Sequence, residues 1–215
     1  MRSRRTAVAV LLLLGACSHR APPRPREPVP ASESRSRPLP GVLSIGPRPE
    51  HVGPLDPAVT DADLDALWSR QLMVPVEGLN RAVLHDDFTA KRGTDRIHGA
   101  LDLLAPRYSA VLATDDCVIG RMFSGPIGGI VIYATALDGQ FVYYYAHLHR
   151  YAKGLAVGDR VAKGTVIGYV GTTGNAPPDT PHLHFQVMKR GAGRVWWDGT
   201  PINPIRFFAL DGYRQ

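Results

Sequence analysis

Five of the eight histidines of this 215-residue chain lie in three short segments. The segments are residues 98–102 (HGALD), 145–149 (YAHLH) and 181–185 (PHLHF). Imidazole and carboxylate groups are zinc ligands in proteins, so the carboxylate of Asp102 joins the histidines as a possible ligand. A single His-x-x-x-Asp or His-x-His motif is a weak signal, because both occur by chance. The three segments together predict a zinc site.

The third segment leads into a strand, where residues two apart point to the same face. His182 and His184 can therefore divide their roles, with one binding the metal and the other reaching the bound water or the substrate. His98 and Asp102 converge if the chain bends between them. Three protein ligands leave a tetrahedral zinc one position for water, as in catalytic rather than structural sites. Zinc lowers the pKa of such water to about 7 and polarises the carbonyl that is attacked.

The motifs and their order resemble the lysostaphin-type (LytM) family of zinc metalloendopeptidases, which cut peptidoglycan peptides. The resemblance runs from about Arg96 to Pro204. It is carried by residues 96–102 (RIHGALD) with Ala105-Pro106, 145–148 (YAHL), 158–164 (GDRVAKG), 167–174 (IGYVGTTG), 181–185 (PHLHF) and Asn203-Pro204. The resemblance implies a zinc metalloendopeptidase that hydrolyses peptide bonds of peptidoglycan through zinc-bound water.

The same resemblance assigns roles to five side chains. It implies that His98, Asp102 and His184 bind zinc, and that His147 and His182 activate the water and steady the oxyanion. All five are present, which favours an active enzyme. The chain departs from the family at Tyr108 and Cys117, where many members have glycine, and this affects turns rather than ligands.

Histidine is the residue type left to act as the base. The chain has four glutamates, at positions 27, 33, 50 and 77, and none is near the motifs. A His-Glu-x-x-His helix, which would supply a glutamate base, does not occur in the sequence. Either His147 or His182 can take the proton, and the sequence leaves both possibilities open.

Two other functions are compatible with parts of the sequence. One is a non-enzymatic regulator that docks on the cell wall or on another murein hydrolase; this protein would release no product. The other is a lipoyl- or biotinyl-type carrier module, because such modules also contain Gly-Asp-x-Val-x-x-Gly. The carrier module is disfavoured because no Met-Lys-Met hairpin is present and because it has no need of clustered histidines.

The sequence beyond Val111 predicts a mainly β domain. Runs of β-branched and aromatic residues at 118–123, 129–133 and 140–145 are separated by Gly125-Pro126 and by Asp138-Gly139, a strong hairpin signal. We expect an antiparallel sandwich or open barrel, and the resemblance implies the lysostaphin-type duplicated hybrid motif. One short helix is predicted at Asp61–Trp68, where Leu64, Leu67 and Trp68 share a face.

Two residues of the second segment are further candidates. Tyr143 and Tyr145 alternate with His147 along the predicted strand, so Tyr145 is a candidate to line the substrate cleft. His149 is expected to lie where a turn begins, at Leu148-His149-Arg150, and is given no role.

The N-terminus has the pattern of a bacterial lipoprotein. A basic stretch at residues 2–5 and an apolar run at 7–14 precede Leu14-Gly15-Ala16-Cys17, which resembles the lipobox. We expect lipid attachment at Cys17; the alternative is a chance cysteine beside an ordinary cleavage site. Ser18 follows Cys17 in place of the aspartate that retains lipoproteins in the inner membrane. This predicts a location in the cell envelope, at the outer membrane facing the periplasm.

Composition divides the chain into regions. We predict a signal peptide at 1–16, a lipid-anchored Pro-rich linker at 17–54, an N-terminal extension at 55–95, the zinc metallopeptidase domain at 96–208 and a tail at 209–215. The net charge of +6 arises within the first 54 residues, because residues 55–215 carry 16 basic and 16 acidic side chains. The domain therefore lacks the charge excess of a nucleic-acid binder. Its expected partners are peptidoglycan peptides and, through the anchor, a membrane.

Overall fold

The computed structural model describes residues 47–51, 55–94, 96–193, 195 and 198–209. The predicted signal peptide, Cys17 and most of the predicted linker lie outside the described residues. Within the described residues, no helix is both long enough and apolar enough to span a bilayer.

The described residues form one α-helix, two 3-10 turns and eleven strands. The helix α1 is Asp61–Ser69, and the 3-10 turns are Arg81–Val83 and Pro204–Arg206. The strands are β1 (Lys91–Arg92), β2 (Arg96–Ile97), β3 (Leu101–Leu104), β4 (Ala110–Leu112), β5 (Cys117–Gly125), β6 (Gly129–Ala136), β7 (Phe141–Tyr151), β8 (Arg160–Val161), β9 (Val166–Val170), β10 (His182–Lys189) and β11 (Thr200–Ile202).

Nine of these strands form one antiparallel sheet. Its main path is β11-β10-β7-β6-β5-β8, while β3 pairs with β10, and β9 pairs with both β7 and β4. The remaining strands, β1 and β2, form a separate hairpin. The main path ends on β11 and β8, so the sheet is open. The predicted mainly β, antiparallel fold is confirmed.

Strand β7 is 11 residues long and changes partner part-way along its length. Residues 141–146 pair with β10, whereas Leu148, Arg150 and Tyr151 pair with β9. The turn predicted at residues 148–150 is therefore wrong, because pairing with β9 continues the strand to Tyr151. The ring of His149 packs edge-on against Tyr108, with 4.6 Å between the ring centroids.

Strand β10 has one face in the hydrophobic core and an opposite face that carries two histidines. Leu183, Phe185 and Val187 are fully buried in the hydrophobic core. The alternate residues His182 and His184 point to the opposite face, because side chains alternate along a strand. The burial of one set of side chains therefore fixes the direction of the two histidines.

The described residues between Val59 and Phe88 contribute buried side chains to the same core as the rest of the domain. Thr60 caps α1 in a capping box with Asp63, and Leu64 and Leu67 of the helix are buried. This helix confirms the one predicted at Asp61–Trp68. Beyond it, the backbone N–H of Leu72 donates to the carbonyl of Phe207. The exact domain boundaries stay predictions.

Candidate metal centre

The register between β3 and β10 brings two of the predicted ligands together. His184 lies directly opposite Asp102, and His182 lies opposite Leu104. Because paired residues in a sheet point to the same side, Asp102, His182 and His184 share one face. The distance from Asp102 Oδ1 to His184 Nδ1 is 3.0 Å.

His98 reaches the same point from the loop that precedes β3. Its backbone N–H donates to the carbonyl of Ala90, and Gly99, with a φ of +66°, turns the chain into the strand. The His98 ring is held by Asp87, whose carbonyl oxygen lies 3.2 Å and whose Oδ2 lies 3.4 Å from His98 Nδ1. The Asp87 Oδ1 also accepts the backbone N–H of Asp102 at 3.3 Å. With Nδ1 directed at Asp87, Nε2 of His98 is directed at the other two ligands.

The three donor atoms form a nearly equilateral triangle. His98 Nε2 lies 3.0 Å from Asp102 Oδ1 and 3.0 Å from His184 Nδ1, and the third side is also 3.0 Å. Tetrahedral ligands at zinc bond lengths of about 2.0–2.1 Å are roughly 3.3 Å apart. Two imidazole nitrogens and a carboxylate oxygen with these separations fit a divalent cation. The structure therefore brings together the three residues predicted as metal ligands.

The charges of the triangle follow from its burial and hydrogen bonds. Burial lowers the pKa of His184 below its usual value, despite the hydrogen bond to Asp102. Burial acts to raise the pKa of Asp102, but hydrogen bonds with His184 and His98 outweigh it and hold this pKa well below the usual range. Burial likewise opposes protonation of His98, yet Asp102 and Asp87 raise its pKa to about 9. A cation at the triangle would displace that proton, as metal binding to histidine generally does.

His147 and His182 form a second pair beside the triangle. His147 Nδ1 lies 2.8 Å from the carbonyl oxygen of Thr173, and His182 Nδ1 lies 2.8 Å from that of Thr180. A carbonyl only accepts hydrogen bonds, so each Nδ1 carries a proton, and in the neutral ring Nε2 is the nitrogen with the lone pair. The two ring centroids are 4.9 Å apart, and His182 Nε2 lies 3.8 Å from Asp102 Oδ1. In the neutral form, both predicted catalytic histidines therefore offer Nε2 as a proton acceptor in the cleft.

A β-bulge in β7 places His147. Ile132 of β6 pairs with Tyr145 and Ile130 pairs with Leu148, so β7 has one more residue than β6 across this interval. His147 adopts a left-handed φ of +60° at this point. As a result Ala146 and His147, which are neighbours in sequence, both line the cleft. Burial lowers the pKa of His147 to about 4, although the Thr173 carbonyl opposes the shift.

The bulge also corrects the expectation for Tyr145. Its side chain is fully buried in the core, and its hydroxyl accepts the backbone N–H of Thr114 at 3.0 Å. Tyr144 lines the cleft in its place. The prediction assumed that Tyr145 and His147, two residues apart, lie on the same face of the strand. The extra residue at 146–147 reverses this, so Tyr144 and His147 share the cleft face. Tyr145 is therefore a core residue and does not line the cleft.

The cleft around these groups has a volume of about 560 Å³. Its lining includes the three candidate metal ligands and the two further histidines. Two residues of the site were not predicted from the sequence: Tyr144, which lines the cleft, and Asp87, which contacts His98 from outside the motifs. The only sequence signal for Asp87 is an acidic residue some ten positions before the first candidate ligand.

Comparison with known proteins identifies the domain. Residues 96–204, half of the chain, match the sequence model of peptidase family M23. The chain belongs to peptidase family M23. The matched range holds all five candidate side chains, and the lysostaphin-type resemblance of the motifs is confirmed.

Individual M23 relatives align over part of their length. The L-Ala–D-Glu endopeptidase of Bacillus subtilis is 34% identical over 128 residues, which is 57% of this chain and 39% of that protein. Lysostaphin of Staphylococcus simulans is 36% identical over 86 residues, 40% of this chain and 16% of that protein. The structure of Csd3 from Helicobacter pylori superposes with a TM-score of 0.50 and 29% identity, over 67% of this chain and 34% of that one. The chain thus spans less than half the length of these curated relatives.

Proposed function

We propose that the protein is a zinc metalloendopeptidase that hydrolyses peptide bonds in peptidoglycan. The observation that carries the proposal is the triangle of His98, Asp102 and His184 with a pair of histidine proton acceptors beside it in one cleft. Support for the substrate comes from the relatives, whose names include an L-Ala–D-Glu endopeptidase and lysostaphin.

The residues of the triangle hold the metal in this proposal. His98 and His184 supply imidazole nitrogens, and Asp102 supplies Oδ1. Three protein ligands are the set of a catalytic site, which leaves room for water or substrate. When bound, zinc supplies Lewis acidity that polarises the scissile carbonyl and acidifies water.

The histidine pair handles the protons. The ring centroids of His147 and His182 are 4.9 Å apart, so in this proposal the two imidazoles orient the attacking water by accepting its hydrogen bonds. We assign proton acceptance to His182 Nε2, because it lies 3.8 Å from Asp102 Oδ1 and so next to the triangle. The same atom then returns the proton to the leaving amide nitrogen. The reaction consumes one water and forms no covalent bond to the protein.

Digestion of purified sacculi tests this proposal. The zinc-loaded protein is incubated with sacculi of known composition, and new amino and carboxyl termini are identified by mass spectrometry. We expect peptide fragments that disappear after EDTA treatment and return with added zinc. Release of no product by the zinc-loaded protein contradicts the proposal and favours a non-enzymatic, wall-binding regulator.

We propose further that the protein is a lipoprotein of the bacterial cell envelope, anchored at Cys17 and facing the periplasm from the outer membrane. The support is the order of basic stretch, apolar run and lipobox-like Leu14–Cys17, with Ser18 after the cysteine. Acylation by several chains gives firm attachment. Mass spectrometry of the N-terminal peptide should show an acylated Cys17, and membrane fractionation should recover the protein with the outer membrane. A soluble protein with a free thiol at this position contradicts the proposal.

A further inference from the structure

The lining of the cleft combines apolar and basic side chains. On β3, Asp102 and Leu104 share a face, and Leu104 and Ile127 are apolar residues of the cleft lining. Leu104 is 63% exposed and Ile127 is 65% exposed, so both offer apolar surface to a ligand. The β1–β2 hairpin contributes Arg92 and Arg96 to the same lining. The cleft lining therefore holds exposed apolar side chains and two arginines in addition to the metal triangle.

The positive charge of these two arginines is only partly neutralised. Arg92 donates to Asp102 Oδ2 and lies 3.8 Å from Asp87 Oδ2. Arg96 is exposed, and no described residue forms an ion pair or hydrogen bond with its guanidinium. Among the residues that line the cleft, Asp102 is the only acid. Its carboxylate is already bound by Arg92 and two histidines, so among the described residues of the cleft no acid pairs with Arg96.

We propose that Arg96, with Arg92 beside it, forms a carboxylate-binding subsite in the part of the cleft that the hairpin lines. This inference rests on the proposed function, and it names the substrate class: peptides that bear free carboxylates, as stem peptides do at D-glutamate and diaminopimelate, rather than neutral glycine bridges. The planar guanidinium matches a carboxylate with two parallel hydrogen bonds. The apolar surface of Leu104 and Ile127 accepts the methyl-bearing residues of the peptide.

Equilibrium binding of an uncleaved peptide pair tests the subsite. The protein is the zinc-loaded His182→Ala variant, and the peptides are L-Ala–D-Glu–diaminopimelate with its carboxylates free and the same peptide with them amidated. Calorimetry should give about tenfold tighter binding of the free acid at low salt, the order expected for a charge-assisted contact at a partly exposed site. The preference should shrink as ionic strength rises, because exposed charges are screened.

Two substitutions distinguish a specific contact at Arg96 from nonspecific electrostatic attraction between the hairpin and the anionic peptide. Adding Arg96→Gln should reduce the preference to about twofold or less, since glutamine keeps polar contacts but not the charge. Adding Lys91→Gln removes a charge from the same hairpin at an exposed residue that does not line the cleft, and it should keep the preference. A carboxylate that bound the zinc directly would keep its preference in the Arg96→Gln variant.

The outcomes distinguish this inference from the proposed function. Three outcomes contradict the proposed subsite. They are equal binding of the two peptides, binding of neither peptide, and an undiminished preference in the Arg96→Gln variant. Failure of the unsubstituted, zinc-loaded protein to cleave either peptide or sacculi counts against the proposed function, whereas the binding preference decides the subsite without turnover.

Discussion

Asp102 and His184 are direct cross-strand partners between β3 and β10, and Asp102 Oδ1 lies 3.0 Å from His184 Nδ1. The strand ladder holds both residues by their backbones, while Leu183 and Phe185, on either side of His184, are locked in the core. The two donors are therefore positioned by the fold itself. His98 completes the triangle from a loop, and its orientation depends on Asp87.

Replacing His182 with alanine should separate metal binding from catalysis. The variant keeps the triangle, so it should retain one zinc per chain, while kcat should fall by at least about 100-fold because the proton acceptor is lost. Zinc content by mass spectrometry and muropeptide turnover measure the two effects. The matched control is His149→Ala, whose ring packs on Tyr108 outside the cleft, and it should retain both properties. Undiminished turnover by the His182 variant means that the role assignment is wrong.

Asp87 should control zinc affinity although it is not a ligand. Its carbonyl and carboxylate face His98 Nδ1, so Asp87→Asn removes the charge that keeps Nε2 basic. We expect zinc to bind about 10- to 100-fold more weakly, the usual effect of such outer contacts. Competition with a chromophoric chelator gives the affinity. The neighbouring Asp86 instead accepts hydrogen bonds from Asn203, so Asp86→Asn should leave zinc affinity unchanged; equal effects of the two substitutions contradict the assigned role.

Tyr145→Phe should affect stability rather than catalysis. The substitution removes the acceptor of the buried Thr114 N–H, and an unmet buried donor costs about 1–3 kcal/mol. Urea denaturation should show this loss in the free energy of unfolding, and kcat/KM of the folded variant should equal that of the parent. A raised KM with an unchanged free energy of unfolding would contradict this prediction and indicate that Tyr145 contacts the substrate.

Gly174→Ala should disturb the support of His147. Gly174 has a φ of +76°, and an added Cβ would lie 2.2 Å from the carbonyl oxygen of Ile127. The loop next to Thr173, which accepts from His147 Nδ1, would have to move. Gly154 is the matched control, because its φ is +83° but nothing lies within 4 Å of an added Cβ.

The two glycine variants should therefore differ in their loss of stability and in their effect on kcat. Gly154→Ala should cost about 1–2 kcal/mol for the left-handed backbone alone. Gly174→Ala should cost a further 1–3 kcal/mol or so, as overpacking does, and should lower kcat. Chemical denaturation and turnover measure both; equal stability losses with equal kcat would contradict the packing of these two loops.

The three residues of the triangle could be predicted because the motifs that contain them resemble those of the lysostaphin-type family. Spacing alone left open which of His182 and His184 binds the metal. Histidine and aspartate side chains are typical metal ligands, and the alternation of side chains along β10 predicts that His182 and His184 share a face. The helix α1 was equally readable, since its cap and its apolar face are contiguous in sequence. The antiparallel strands followed from β-branched and aromatic runs between turn residues.

The errors arose where distant segments decide the geometry. The bulge at 146–147 depends on how β7 pairs with Ile130 and Ile132 of β6, and nothing in the sequence of β7 reveals the extra residue. The faces of Tyr144 and Tyr145 were consequently exchanged. Asp87 was missed for the same reason, because it reaches His98 through tertiary packing from outside the motif.

The zinc content of the purified protein and of its His184→Ala variant tests the central claim most directly. After loading with excess zinc and gel filtration, plasma mass spectrometry should find one zinc per chain in the parent and essentially none in the variant, with the circular dichroism of both unchanged. A parent that binds no zinc, or a folded variant that keeps its full zinc content, contradicts the claim that residues 98, 102 and 184 hold one catalytic ion.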